Sequence, residues 1–88
     1  MQKSNETLMD KGKKIYNNLK PILEPKYKGK IIAIEVDSGG YVIGEDELDA
    51  ALKAKELFPN KIFAFMRIGY PVVHKFRKIA DINDRRLY

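Results

Sequence analysis

Apolar positions recur along the chain in two rhythms. Within residues 4–20 they fall at helical spacing, with Leu8, Gly12, Ile15, Tyr16 and Leu19 on one face. Ser4 or Asn5 can cap this helix, and Gly12 weakens it by about 1 kcal/mol relative to alanine. Pro21 is expected to end it, because the ring clashes with the preceding turn and disfavours helix at Lys20. Ile22 and Leu23 continue the stripe weakly, and Pro25 marks a loop over residues 24–28.

From residue 30 the period becomes two. Ile32, Ile34 and Val36 point one way, and Ile31, Ala33 and Glu35 the other. Apolar groups on both faces suggest a central strand. Asp37-Ser38-Gly39-Gly40 reads as a turn and Tyr41-Val42-Ile43 as the returning arm, so residues 30–44 form a hairpin that Gly44 ends. Asp46 then caps a helix over residues 46–58, with Glu47 and Asp49 in the first turn, where the helix dipole favours acids. Leu48, Ala51, Leu52 and Leu57 supply its apolar stripe. Pro59-Asn60 closes it. A third strand follows over residues 61–68, with Ile62, Ala64, Met66 and Ile68 on one face and Phe63 and Phe65 on the other.

Residues 70–88 form a basic tail with two readings. Pro71 can open a helix carrying Val72, Val73, Phe76, Ile79 and Ala80, or Val72 to Phe76 can form a short edge strand. The order is α-β-β-α-β plus the tail, a single α+β domain over residues 1–88. A right-handed crossover through the second helix makes strands two and three parallel. Strand one then lies between them, antiparallel to both, in a three-stranded, mainly antiparallel sheet of order 2-1-3. The helices are expected on one face. That leaves Phe63 and Phe65 in need of cover from the first helix, the tail or another chain, and it leaves two open edges.

Composition narrows the class. A chain of 88 residues buries about 64% of its unfolded surface by area scaling, enough for one small core. Apolar residues at 44% and charged residues at 33% describe a globular chain. The absence of cysteine excludes disulfides, thiol catalysis and thiolate-bound metal, and fits a reducing compartment. No apolar run nears the ~18 residues of a membrane span. Residues 1–6 lead into no apolar signal segment, so a cytoplasmic location with no membrane partner is expected.

Charge falls in three blocks. Residues 1–30 carry eight lysines against three acids, residues 31–60 two lysines against seven acids, and residues 61–88 seven lysines or arginines against two acids. The blocks are therefore +5, −5 and +5. A basic chain suits a polyanion. The acidic centre argues against one continuous basic groove and offers complementary patches for head-to-tail self-association.

Catalytic chemistry finds little to build on. His74 is the one histidine, and Ser4 and Ser38 are the two serines. Ser38 sits in a hairpin turn without a nucleophile elbow. Glu45, Asp46, Glu47 and Asp49 do not have calcium-loop spacing, and helix capping accounts for them. Gly39, Gly40 and Gly44 lack the Lys-Ser/Thr ending of a phosphate loop. No enzyme activity, cofactor, metal or small-molecule ligand is expected. The tail is the most suggestive segment. Val72, Val73 and Phe76, with Phe63 and Phe65, can anchor a partner, and Arg67, His74, Lys75, Arg77 and Lys78 can form a basic rim or contact nucleic acid. No named nucleic-acid motif is met.

Two resemblances add context. Tyr27-Lys28-Gly29-Lys30-Ile31-Ile32-Ala33-Ile34, followed by Gly39-Gly40-Tyr41-Val42-Ile43-Gly44-Glu45-Asp46-Glu47-Leu48-Asp49-Ala50-Ala51, resembles a family of short prokaryotic proteins of unknown function, common in cyanobacteria. The likeness spans about residues 26–70 and implies no activity. A weaker likeness is to Hic-type antitoxins, where a Gly-Tyr-Val strand also leads into an alanine-bearing helix. It implies a partial double-stranded-RNA-binding-type fold and a protein partner. This chain lacks that family's Pro-Asp-Leu-Pro-Gly segment and a separate DNA-binding domain. The expected function is therefore a non-enzymatic, protein-binding or self-associating domain, a homodimer or the partner of another protein, with an antitoxin-like role as one form of it. The alternative is nucleic-acid binding through the basic tail.

Overall fold

The structure is a computed structural model that describes residues 7–78 and, among the side chains of residues 70–78, those of Tyr70 and Phe76. The elements run α1 (Leu8–Tyr27), β1 (Ile31–Glu35), β2 (Tyr41–Gly44), α2 (Glu47–Leu57), β3 (Ile62–Arg67) and β4 (Tyr70–Lys78). The strands form one sheet of order β2-β1-β3-β4. β1 is antiparallel to both β2 and β3, so the expected 2-1-3 arrangement of an α+β domain is present. The tail takes the strand reading: β4 pairs antiparallel with β3, with a bulge around Met66. β-branched Val72 and Val73 suit a strand, and β3 would otherwise present an open edge. Residues 79–88 lie outside the described residues.

α1 begins later and ends later than its pattern suggests. Ser4 and Asn5 lie outside the described residues, and Thr7 is the cap. Its hydroxyl accepts the Asp10 N–H at 3.1 Å while the Asp10 carboxylate accepts the Thr7 N–H at 3.2 Å. The helix runs through Pro21 and Pro25 to Tyr27. Each proline removes one backbone bond, to the carbonyls of Asn17 and Pro21. Both residues are exposed, so water can satisfy those carbonyls. The buried Leu23 and half-buried Tyr27 hold the far half against the sheet. Gly12 is buried and brings α1 close to the sheet: a β-carbon there would stand 3.1 Å from that of Ala64.

The helices do not share a face. Every residue of β1 is buried, and its alternation feeds two cores. Ile32 and Ile34 join Met66, Ile68, Tyr16 and Leu23 under α1. Ile31 and Ala33 join Val42, Phe63, Phe65 and the alanines Ala50, Ala51 and Ala54 under α2. Phe63 and Phe65 do need cover, and α2 supplies it, where the first helix, the tail or another chain was expected. Both are fully buried on the α2 side of the sheet, where Phe58 also packs at a ring separation of 5.9 Å from Phe63. The helices thus lie on opposite faces of the sheet in an α/β/α layering.

Candidate interaction surface

α2 sits on β2 and β1 through small side chains. Asp46 caps it by accepting the Asp49 N–H at 2.8 Å, and the Asp49 carboxylate accepts the Glu45 N–H at 2.9 Å and pairs with Lys53 at 3.3 Å. The bond from the Glu45 backbone, then that from Lys53, hold the Asp49 carboxyl below its ordinary pKa. Glu45 meets Lys30 at 2.7 Å. The acids at the start of α2 thus take part in capping and ion pairs, and among the described residues no group of three or more acids or histidines could hold a metal.

The orientation of α2 differs from its expected stripe. Alanines face the sheet, and Leu48 and Leu52 face outward at 63% and 48% exposure. They stand one turn apart on one side of the helix. Leu57 is also exposed but lies half a revolution from Leu48. Residues 45–57 carry five acids against two lysines, so the leucines sit in an acidic surround.

The outer face of α1 has the opposite character. Residues 8–28 carry six lysines against two acids. A shallow groove of about 480 Å³ runs along Lys20, Pro21, Glu24, Pro25 and Lys28. Its carboxylate, Glu24, accepts the buried Tyr16 hydroxyl at 2.7 Å, and the same hydroxyl oxygen accepts the Gly69 N–H at 2.9 Å. Burial pushes the Tyr16 pKa up; the Gly69 bond opposes this and Glu24 adds to it.

Two further polar devices serve the sheet. Glu35 is 1% exposed, yet its carboxylate accepts the N–H groups of Asp37 at 3.0 Å and Ser38 at 2.9 Å, closing the hairpin turn. Burial pushes its pKa up, but hydrogen bonds from Ser38 and Asp37 and the attraction of Lys61 outweigh it, and the pKa is lowered. At the β2 edge, Ile43 turns its carbonyl outward, because residues 31, 33 and 35 are the ones bonded to β2. Lys53 donates to that carbonyl at 3.0 Å and so blunts the edge.

The residues singled out in the sequence are therefore dispersed. Phe63 and Phe65 are core. Phe76 is half-buried on β4, paired with Ala64. Arg67 is exposed and donates to the Gly29 carbonyl at 2.8 Å. Val72, Val73, His74, Lys75, Arg77 and Lys78 are placed by backbone on β4, and their side chains lie outside the description. Helical spacing puts Ala51 on one stripe with Leu48, Leu52 and Leu57; the structure keeps Ala51 inward with Ala50 and Ala54 and exposes the three leucines. No protein-family model, curated protein or solved structure matches the chain.

Proposed function

We propose that this chain is a non-enzymatic protein-binding module whose docking surface is the outer face of α2. The observation that carries the reading is the outward display of Leu48 and Leu52 on a helix that packs through alanine. A scattered exposed leucine needs no explanation, but two adjacent ones on a helix with an alanine core face form a ready apolar anchor. Apolar anchors desolvated at an interface centre carry most binding energy, while rim charges tune encounter rates. An antitoxin-like role, in which the partner is a toxin protein, is one form of this reading.

The test is co-purification from the native host with wild-type protein and with the double variant Leu48→Lys/Leu52→Lys, after nuclease treatment and at two salt concentrations. The expected result is a protein retained by the wild type and lost by the variant, with modest salt sensitivity. Equal recovery by both proteins would overturn the surface. Recovery of nucleic acid that collapses with salt would replace it with the alternative, binding through the basic C-terminal segment.

A further inference from the structure

We infer that the partner on α2 is a second copy of this chain, docked through the outer face of its α1. The inference rests on the docking reading above and assigns its occupant. Charge selects the pairing. The α2 segment, residues 45–57, has a net charge of −3, five acids against two lysines, and the α1 segment, residues 8–28, has +4, six lysines against two acids. Pairing α2 with α2 sets acids against acids, and pairing α1 with α1 sets lysines against lysines, so each symmetric contact is opposed by repulsion. The mixed pairing is favoured.

Shape agrees with charge. Leu48 and Leu52 are one helical turn apart, and so are Pro21 and Pro25 in the α1 groove between Lys20 and Lys28. Both pairs therefore span about 6 Å along their helices, so two leucines can seat along two prolines. The lysines then flank the acidic surround of α2, and the groove's own carboxylate remains engaged by Tyr16. Because α1 and α2 lie on opposite faces of the sheet, the contact is heterologous: each copy offers one donor face and one acceptor face. A single helix pair falls under the ~1,200 Å² of standard interfaces, so association is weak and concentration-dependent.

Complementary variants test this directly. Leu48→Lys/Leu52→Lys disables the α2 face and keeps the α1 face. Lys20→Glu/Pro25→Glu disables the α1 face and keeps the α2 face. All four positions are exposed, and Leu48→Gln/Leu52→Gln is the substitute should the lysine variant lose its wild-type circular dichroism. Sedimentation equilibrium is run from about 20 to about 500 µM, the range of a weak interface. Wild-type mass should rise above 10.2 kDa with concentration and decline only modestly in high salt. Each variant alone should remain a monomer. Their equimolar mixture should form a species of twice the chain mass and nothing larger, because each copy then has one working face. A monomeric wild type at the highest concentration, or a mixture that stays monomeric, would overturn the inference. So would dimers of Lys20→Glu/Pro25→Glu alone, which would show α2 pairing with itself. If the wild type stays monomeric while Leu48→Lys/Leu52→Lys still loses its native-host protein, the second copy is wrong and the α2 docking surface stands. If both tests fail, the docking surface falls too.

Discussion

Gly44 ends β2 directly beneath Ala50 of α2, and the two approach so closely that a β-carbon on the glycine would overlap the alanine backbone. This contact sets how α2 can lie. A helix drawn that near the sheet has room for Ala50, Ala51 and Ala54 and none for leucine, so the larger side chains are displaced outward. The exposed leucines are thus a consequence of one glycine at a strand end.

Gly44→Ala should accordingly destabilise the domain by about 1–3 kcal/mol, the usual cost of overpacking a core that cannot shift freely. Urea unfolding of the variant measures it. An unchanged midpoint would mean that α2 can move away at no cost, and the account of its orientation would fail.

Tyr16 ties the middle of α1 to the turn between β3 and β4. Tyr16→Phe leaves the Gly69 N–H and the Glu24 carboxylate without their shared hydroxyl, and should cost about 1–3 kcal/mol. Alkaline unfolding gives the sign independently. The Tyr16 pKa is raised in the fold, so its contribution is complete below the ordinary tyrosine pKa and is lost as pH rises through the folded value. Wild-type protein should lose more stability than Tyr16→Phe on moving to strongly alkaline pH. Equal losses in the two proteins would show that the tyrosine does not titrate with unfolding.

Glu35 governs the acid limb. Its lowered pKa means that its contribution is present above the ordinary glutamate pKa and is lost as pH falls through the folded value. Glu35→Gln replaces an acceptor of two backbone N–H groups with a side chain that has one acceptor oxygen, and should cost about 1.5–3 kcal/mol at neutral pH. Between about pH 5 and about pH 3 the wild-type urea midpoint should fall more steeply than that of the variant. Parallel slopes would place the acid sensitivity elsewhere, with Asp49 the next candidate because its pKa is also lowered.

These positions show what the sequence could and could not disclose. β1 announced itself as central, because apolar residues on both of its faces have no other use. The Asp46 cap and the 2-1-3 order followed from local chemistry and crossover rules. Pro21 is a strong local stop signal that predicts a shorter α1, and tertiary packing of Leu23 and Tyr27 overrides it. The two-sided placement of the helices was hidden because periodicity gives an element's apolar face and not which side of a sheet it meets. Val72, Val73 and Phe76 fit a helix or a strand alike, and the free edge of β3 decides between them. For the interaction surface, helical spacing groups Leu48 and Leu52 with Ala51 and cannot tell which flank of the stripe meets the sheet; the close approach of Gly44 to Ala50 turns the alanine flank inward.

That inversion yields the last prediction. Leu48→Lys exchanges two residues of nearly equal helix propensity at a position 63% exposed, so its stability should stay within about 0.5 kcal/mol of wild type. Ala51→Leu adds bulk where the side chain is fully buried against the sheet, and should lose about 1–3 kcal/mol. If the stripe met the sheet with Leu48 at its centre, the order would be reversed. Paired urea denaturation of the two variants decides the matter. If Leu48→Lys is the more damaging, Leu48 belongs to the core, α2 lies the other way round, and no apolar anchor remains on its outer face for a partner to use.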